Sequence, residues 1–200
     1  IEGDRSGFEV VREMKALDPT IPVVAVTGFG LKEDREKCLK AGFDGHLTKP
    51  LRLDDFYQIS EEIVVRTQLK GLRVLVIDDN PIVLRTTEAL LKNLGLSVVT
   101  ARGSKQALSR CTDFHPEVFF IDWKLDEETG EEVARSLQER FPKDQALYVL
   151  VSGESMTADL SALYHEAHVK PLSYKGVLEI FGRWAEKKQV SDNLNSKKLH

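Results

Sequence analysis

The chain has 200 residues, of which 42% are apolar and 30% charged, and its formal net charge is −4. These values predict a globular protein of one or two domains. No apolar run approaches the roughly 18 residues of a membrane-spanning helix, and no basic stripe with interleaved aromatic residues predicts direct nucleic-acid binding.

The cysteines favour a reducing compartment. Cys38 and Cys111 fall in different helical patterns, so free buried thiols are a better expectation than a disulfide. The first residues are polar and acidic and do not resemble a secretory signal. We therefore expect a cytoplasmic protein that does not enter a membrane.

The first third of the chain predicts alternating helices and strands. A helix begins at Ser6 and ends before Asp18, and a later strand ends in Thr27-Gly28. Another strand leads into Lys49-Pro50. The predicted elements are helix 6–17, strand 22–26, helix 32–40, strand 45–48 and helix 53–69.

A second apolar strand ends on two adjacent carboxylates. Residues 74–77 are apolar at consecutive positions, which is typical of a strand covered on both faces in a parallel sheet. Asp78 and Asp79 follow at its carboxyl end, and Pro81 begins a helix that ends at Gly95. In open α/β sheets, ligands bind at this end of the strands.

A third carboxylate follows a neighbouring strand. After a strand over 96–100 and a helix expected to be capped by Ser104, the apolar strand 118–121 ends in Asp122. Two carboxylates about 4 Å apart repel by roughly 1 kcal/mol in water and roughly 4 kcal/mol at an effective dielectric of about 20. A cation should therefore lie close by, and three acidic side chains form the oxygen-rich pocket that Mg²⁺ prefers.

Two more polar groups follow later strands. Strand 148–151 ends in Ser152-Gly153, and His168-Val169 leads into Lys170-Pro171. Ser173 is expected to begin a final helix that reaches Lys188, and residues 189–200 read as a polar tail.

This order of residues resembles a response-regulator receiver domain of two-component signalling, over about residues 72–188. The resemblance implies a flavodoxin-like α/β fold, a doubly wound five-stranded parallel sheet of order 2-1-3-4-5. It implies that Asp122 is the phosphoacceptor and that Ser152 and Lys170 bind the phosphoryl oxygens. By the same resemblance, Mg²⁺ is bound by Asp78, Asp79, Asp122 and the backbone carbonyl of Lys124.

The resemblance also implies a function and partners. A histidine kinase or a histidine phosphotransfer protein would donate the phosphoryl group, and the added charge would change a binding surface. Such a domain is a signalling module that catalyses only its own phosphorylation and dephosphorylation.

The two parts of the chain are related by an internal repeat. The interval from Gly7 to Pro19 matches that from Gly130 to Pro142, Thr27 answers Ser152, and Lys49 answers Lys170. We therefore divide the chain into the C-terminal half of a receiver-like unit, 1–70, a complete receiver, 71–188, and the tail, 189–200.

The first copy is expected to be inactive. Measured from the second copy, its acceptor aspartate would fall at position −1, together with the strand that carries the acidic pair. The strands over 22–26 and 45–48 would then lack their central neighbour and leave an open edge. We expect two chains to complete each other in a homodimer or by swapped half-domains, or this half to pack on the second unit.

The second copy departs from the family pattern between its hydroxyl and its lysine. Ser152 and Lys170 are 18 residues apart, whereas Thr27 and Lys49 are 22 apart, so about one helical turn is missing. The aromatic residue that the family usually carries three positions before the lysine is replaced by Ala167. Ordinary packing is the expectation for nearby Tyr164, and His165 and His168 are expected to form local hydrogen bonds at the end of a short helix.

Two other functions are compatible with parts of this sequence pattern. A receiver fold that is not phosphorylated could act as a docking or dimerisation module, which the shortened helix and the missing aromatic favour but the full set of site residues opposes. A phosphatase resembling haloacid dehalogenases is disfavoured, because such enzymes need a second aspartate two residues after the first, where this chain has Lys124.

Overall fold

The computed structural model describes residues 6–28, 32–154 and 160–196. The chain divides into two compact units, Ile1–Thr67 and Gln68–His200. None of the helices in the described part combines the length and apolar character needed to cross a bilayer.

In its described residues, 6–28 and from 32 onward, the N-terminal unit contains two parallel strands and three helices. Ser6 caps the first helix in a reciprocal capping box with Glu9, and the second strand begins at Gly45, as predicted. The elements are α1 (Gly7–Leu17), β1 (Val24–Thr27), α2 (Lys32–Ala41), β2 (Gly45–Thr48) and α3 (Leu53–Leu69).

The C-terminal unit is a five-stranded parallel sheet with the order β4-β3-β5-β6-β7. In the unit's own numbering this is the order 2-1-3-4-5, so the predicted fold class is confirmed. The elements are β3 (Arg73–Ile77), α4 (Pro81–Asn93), β4 (Ser97–Ala101), α5 (Ser104–Phe114), β5 (Val118–Asp122), α6 (Gly130–Gln138), β6 (Leu147–Ser152), β7 (Glu166–Val169) and α7 (Tyr174–Ser196).

The central strands are buried along their whole length. Every residue of β5 and β6 is buried, as is β3 after its first residue. Phe119 stacks on Tyr148 across these strands, and Phe120 meets Phe181 of α7 edge to face. Apolar residues at consecutive positions therefore did indicate a sheet covered on both faces.

Cys38 and Cys111 are free and buried, as expected, and burial raises the pKa of Cys111 to about 11.

The repeat holds at the level of backbone pairing. Thr27 pairs with Thr48 in the first unit, and Ser152 pairs with Val169 in the second. Lys49 and Lys170 each donate a backbone hydrogen bond to the carbonyl of the paired Thr27 or Ser152, at 2.7 Å in both units. The β1–β2 and β6–β7 pairs are therefore the same substructure.

Several local predictions were wrong. Ser104 does not cap α5: it is the first helical residue, and its backbone N–H donates to the Glu128 carboxylate at 2.6 Å. Turns and a bend, not helix, cover 161–165, and His168 lies in β7. Ser173 caps α7 instead of starting it, accepting from Gly176 N at 3.0 Å, and α7 continues past Lys188 to Ser196.

Candidate functional site

Three carboxylates converge at the carboxyl end of the C-terminal sheet. Asp78 follows β3 directly, Asp79 comes next, and Asp122 ends the neighbouring strand β5. One oxygen from each carboxylate lies within 4.8 Å of the others. Asp78 and Asp122 are buried and Asp79 is half-buried, so the donor set and its spacing suit a hard divalent cation.

The turn after β3 is fixed by side-chain to backbone hydrogen bonds. Asp78 accepts from the N–H of Asn80 at 2.9 Å, and Asn80 caps α4 by accepting from Ile82 N at 2.9 Å. Pro81 occupies the first turn of α4, where no N–H donor is needed. The acidic pair is therefore held on a rigid strand-to-helix turn.

Lys170 is the cation that the acidic cluster requires. Its Nζ lies 2.5 Å from Asp78 Oδ2 and 2.9 Å from Asp122 Oδ2. The lysine follows β7, which pairs in parallel with β6, so its backbone also lies at the carboxyl edge of the sheet. The resemblance placed Lys170 at the phosphoryl oxygens beside Asp122, but the sequence did not predict its contact with Asp78.

Burial and ion pairing shift two pKa values at this site. Burial raises the pKa of Asp122 above its ordinary value, although hydrogen bonding and the charge of Lys170 partly oppose that rise. Burial lowers the pKa of Lys170, but its hydrogen bonds and charge interactions with Asp78 and Asp122 outweigh burial and leave it raised. Lys170 is therefore charged at neutral pH, and Asp122 depends on nearby positive charge for its ionised form.

The hydroxyl and the loop after Asp122 complete the site. Ser152 is buried at the end of β6, one position past the residue paired with Asp122, and its Oγ accepts from Glu154 N at 3.2 Å. Lys124 forms an antiparallel bridge with Thr129, and Gly130 N donates to the Trp123 carbonyl at 2.8 Å. These contacts close the loop that presents the Lys124 backbone.

Gly130 is required where this loop meets α6. A methyl group added there would lie 2.4 Å from the Asp122 carbonyl oxygen and 3.0 Å from the Trp123 Cα, both backbone atoms. No side chain fits in that space without moving the acceptor strand.

Four further side chains of the C-terminal unit make specific contacts. The loop acid Asp126 is exposed, and a hydrogen bond with Asp79 together with the charge of Asp79 raises its pKa. His168 bonds to Glu166, two positions away, at 3.0 Å, so the prediction of local hydrogen bonding is confirmed for this residue. His165 instead accepts from the backbone N–H of Tyr148, 17 positions away, at 3.0 Å. Trp123 is half-buried beside Asp122 and packs against the core.

Two segments of the chain match the sequence model of one protein family. The sequence model of the response regulator receiver domain matches residues 3–61 and 74–172. Protein PilG of Pseudomonas aeruginosa is 46% identical over 55 residues, which is 28% of this chain and 41% of PilG. The matched segments span less than half of the length of the first curated relatives.

Solved structures give the same fold. A probable two-component system response regulator/GGDEF domain protein matches 98% of this chain and 77% of its own, with 26% identity and a TM-score of 0.62. The receiver domain of sensor histidine kinase PA1611 from Pseudomonas aeruginosa, which holds a magnesium ion in its active-site cleft, covers 57% of this chain and 97% of its own, with 21% identity and a TM-score of 0.51.

Proposed function

The chain belongs to the response regulator receiver domain family, and from this premise we propose that its C-terminal unit is a Mg²⁺-dependent phosphoacceptor with Asp122 as the acceptor. The observation that carries the proposal is the bridge made by Lys170 between Asp78 and Asp122, within a cluster of three carboxylates. An ion pair with a purely structural role would need only one acidic partner for Lys170. Here three carboxylates surround one ammonium, so carboxylate oxygens remain that can bind a divalent cation.

The chemistry follows from these positions. A carboxylate oxygen of Asp122 attacks the donor's phosphorus in line, the bond from phosphorus to the leaving nitrogen or oxygen breaks, and its electron pair stays with the leaving group. The ammonium of Lys170 and the Ser152 hydroxyl bind the phosphoryl oxygens. Mg²⁺, held by Asp78, Asp79, Asp122 and the Lys124 carbonyl, would supply the remaining charge compensation.

The donor is a phosphohistidine on a histidine kinase or a histidine phosphotransfer protein. The receiver domain to which this fold is similar, that of PA1611, belongs to a sensor histidine kinase. The unit acts as a signalling module whose catalysis is limited to its own phosphorylation and dephosphorylation. The free, buried Cys38 and Cys111 suit a reducing cytoplasm.

The alternative function is a receiver fold that docks to partners without phosphorylation. Exposed Ala167 favours it, because an alanine at that position cannot couple to Ser152.

The two functions are distinguished by incubating the chain with acetyl phosphate and either Mg²⁺ or EDTA and measuring its intact mass. Gain of one phosphoryl group only with Mg²⁺ favours the phosphoacceptor, and no gain favours the docking module.

The N-terminal unit exposes apolar residues whose equivalents in the complete copy are buried within that copy. Val10, Val26 and Phe56 are 41%, 42% and 55% exposed. Their counterparts by repeat position, Val133, Val151 and Val177, are 0%, 6% and 0% exposed. In the complete unit β6, the counterpart of β1, pairs with β5, whereas among the described residues β1 pairs only with β2. We propose that a second copy of the chain pairs with the open edge of β1 and forms a homodimer.

Val26→Lys is expected to shift the chain toward monomer, because a charged side chain on an open strand edge opposes pairing with another strand. The measurement is molar mass by light scattering over a range of protein concentrations. Leu17→Lys is the matched control, since exposed Leu17 corresponds to exposed Arg140 in the complete copy. A wild-type chain that stays monomeric at all concentrations would contradict the dimer.

A further inference from the structure

In the N-terminal unit an aromatic side chain on the second strand contacts the site hydroxyl. The C-terminal unit has no aromatic residue at the equivalent position. In the N-terminal unit, His46 Nε2 lies 3.0 Å from Thr27 Oγ1, so the side chain at this strand position reaches the hydroxyl. Strand register puts Ala167 at the same position, paired with Leu150 as His46 is with Ala25. Its methyl group makes no such contact.

Tyr164 connects the segment before β7 to the acceptor loop instead. The phenol is buried and donates to the Gly130 carbonyl at 2.6 Å. Gly130 in turn closes the loop after Asp122 through its bond to the Trp123 carbonyl. Gln138 fixes the same segment by donating to the Leu163 carbonyl at 2.7 Å, so Tyr164 is held on α6 and cannot easily turn away.

The N-terminal unit shows what this position does without the hydroxyl. Counting back from the lysine, Phe43 corresponds to Tyr164, and Gly7 corresponds to Gly130. A methyl group added at Gly7 would lie 4.0 Å from Phe43 Cζ, and one added at Gly130 would lie 3.1 Å from the Tyr164 hydroxyl. The same aromatic-on-glycine contact exists in both units, but the phenol occurs only in the unit with the acidic cluster. Packing accounts for the ring and leaves the hydroxyl unexplained.

We propose that Tyr164 is a positioning residue for the cation site: its hydrogen bond to Gly130 holds the 123–130 loop, which carries the Lys124 carbonyl that is proposed to bind Mg²⁺. The inference rests on the proposed Mg²⁺ site. It replaces ordinary packing as the role of this side chain, and it makes the segment between β6 and β7 a determinant of cation affinity.

Tyr164→Phe tests the hydroxyl while keeping the ring, and Phe43 provides a precedent for that ring at this position. We expect the Mg²⁺ dissociation constant, measured by calorimetry on the full chain, to rise about three- to tenfold, the range of one lost hydrogen bond. Tyr148→Phe is the matched control, because Tyr148 is also buried and donates to a carbonyl, that of Phe141, at 2.6 Å. It should unfold at a similarly lowered temperature with Mg²⁺ affinity unchanged.

The outcomes separate the two ideas. A wild-type chain that binds Mg²⁺ with the same affinity as Tyr164→Phe overturns the positioning role and leaves the proposed function intact. Equal weakening in both tyrosine variants also overturns it, because the effect would then come from general loss of stability. Absence of Mg²⁺ binding in the wild type overturns both proposals.

Discussion

Replacing Asp122 with asparagine is expected to abolish phosphoryl uptake from acetyl phosphate completely, while the protein stays folded. The asparagine amide keeps the shape of the side chain but offers no anionic oxygen to attack phosphorus. Intact mass after incubation with Mg²⁺ and acetyl phosphate should show no gain. Asp113→Asn, an exposed change on α5, should be phosphorylated like the wild type.

The same variant should not lose stability in EDTA. Burial raises the pKa of Asp122, so its interactions favour folding at pH values below its unfolded pKa, and that contribution is lost as pH rises through the higher folded pKa. At neutral pH the wild type pays for ionising a buried carboxylate, and asparagine removes that cost. A Tm in EDTA equal to or above that of the wild type is the expected result. A phosphorylated Asp122→Asn chain would contradict the assignment of the acceptor.

Lys170→Gln is expected to lower both stability and phosphorylation, and Mg²⁺ should restore part of the stability. Asp78 and Asp122 would be left buried without the ammonium they share. Removing one partner of a fully buried pair costs about 3–5 kcal/mol. Because 20% of the lysine side chain is exposed, we expect the free energy of unfolding in EDTA to fall by about 2 kcal/mol. The phosphorylation rate should fall about 10²-fold.

Urea unfolding with EDTA and with Mg²⁺ measures the stability effect. Lys92→Gln is the control, since it removes an exposed pair with Glu88 at 2.6 Å that is expected to contribute less than about 0.5 kcal/mol. If Lys170→Gln changes stability no more than Lys92→Gln, the ammonium does not balance the acidic cluster.

The sequence predicted the sheet because the physical signal was local. Short continuous apolar runs such as Val74–Ile77, bounded by turn residues, favour a strand covered on both faces, and Asp78 and Asp122 lie at the carboxyl ends of such strands. The repeat then fixed Thr27 and Lys49 as counterparts of Ser152 and Lys170. The positions of the three aspartates at strand ends therefore predicted the acidic cluster.

What the sequence missed depends on contacts between distant residues. Tyr164 and Gly130 are 34 positions apart, and no local periodicity links them. Serine is a common helix-capping residue, so Ser104 was predicted to cap α5. Its backbone N–H instead donates a hydrogen bond to the carboxylate of Glu128, 24 positions away. Only the comparison of Phe43 with Tyr164 across the repeat could have marked the hydroxyl as unusual.

The most direct test of the central claim is a Mg²⁺ titration followed by Trp123 emission, with Asp122→Ala as the control and Trp184 as a constant background. We predict a saturable change in the wild type, a further change on adding beryllium fluoride, and neither in Asp122→Ala. A wild-type emission that is the same with and without Mg²⁺, confirmed by calorimetry that detects no binding, would contradict the account.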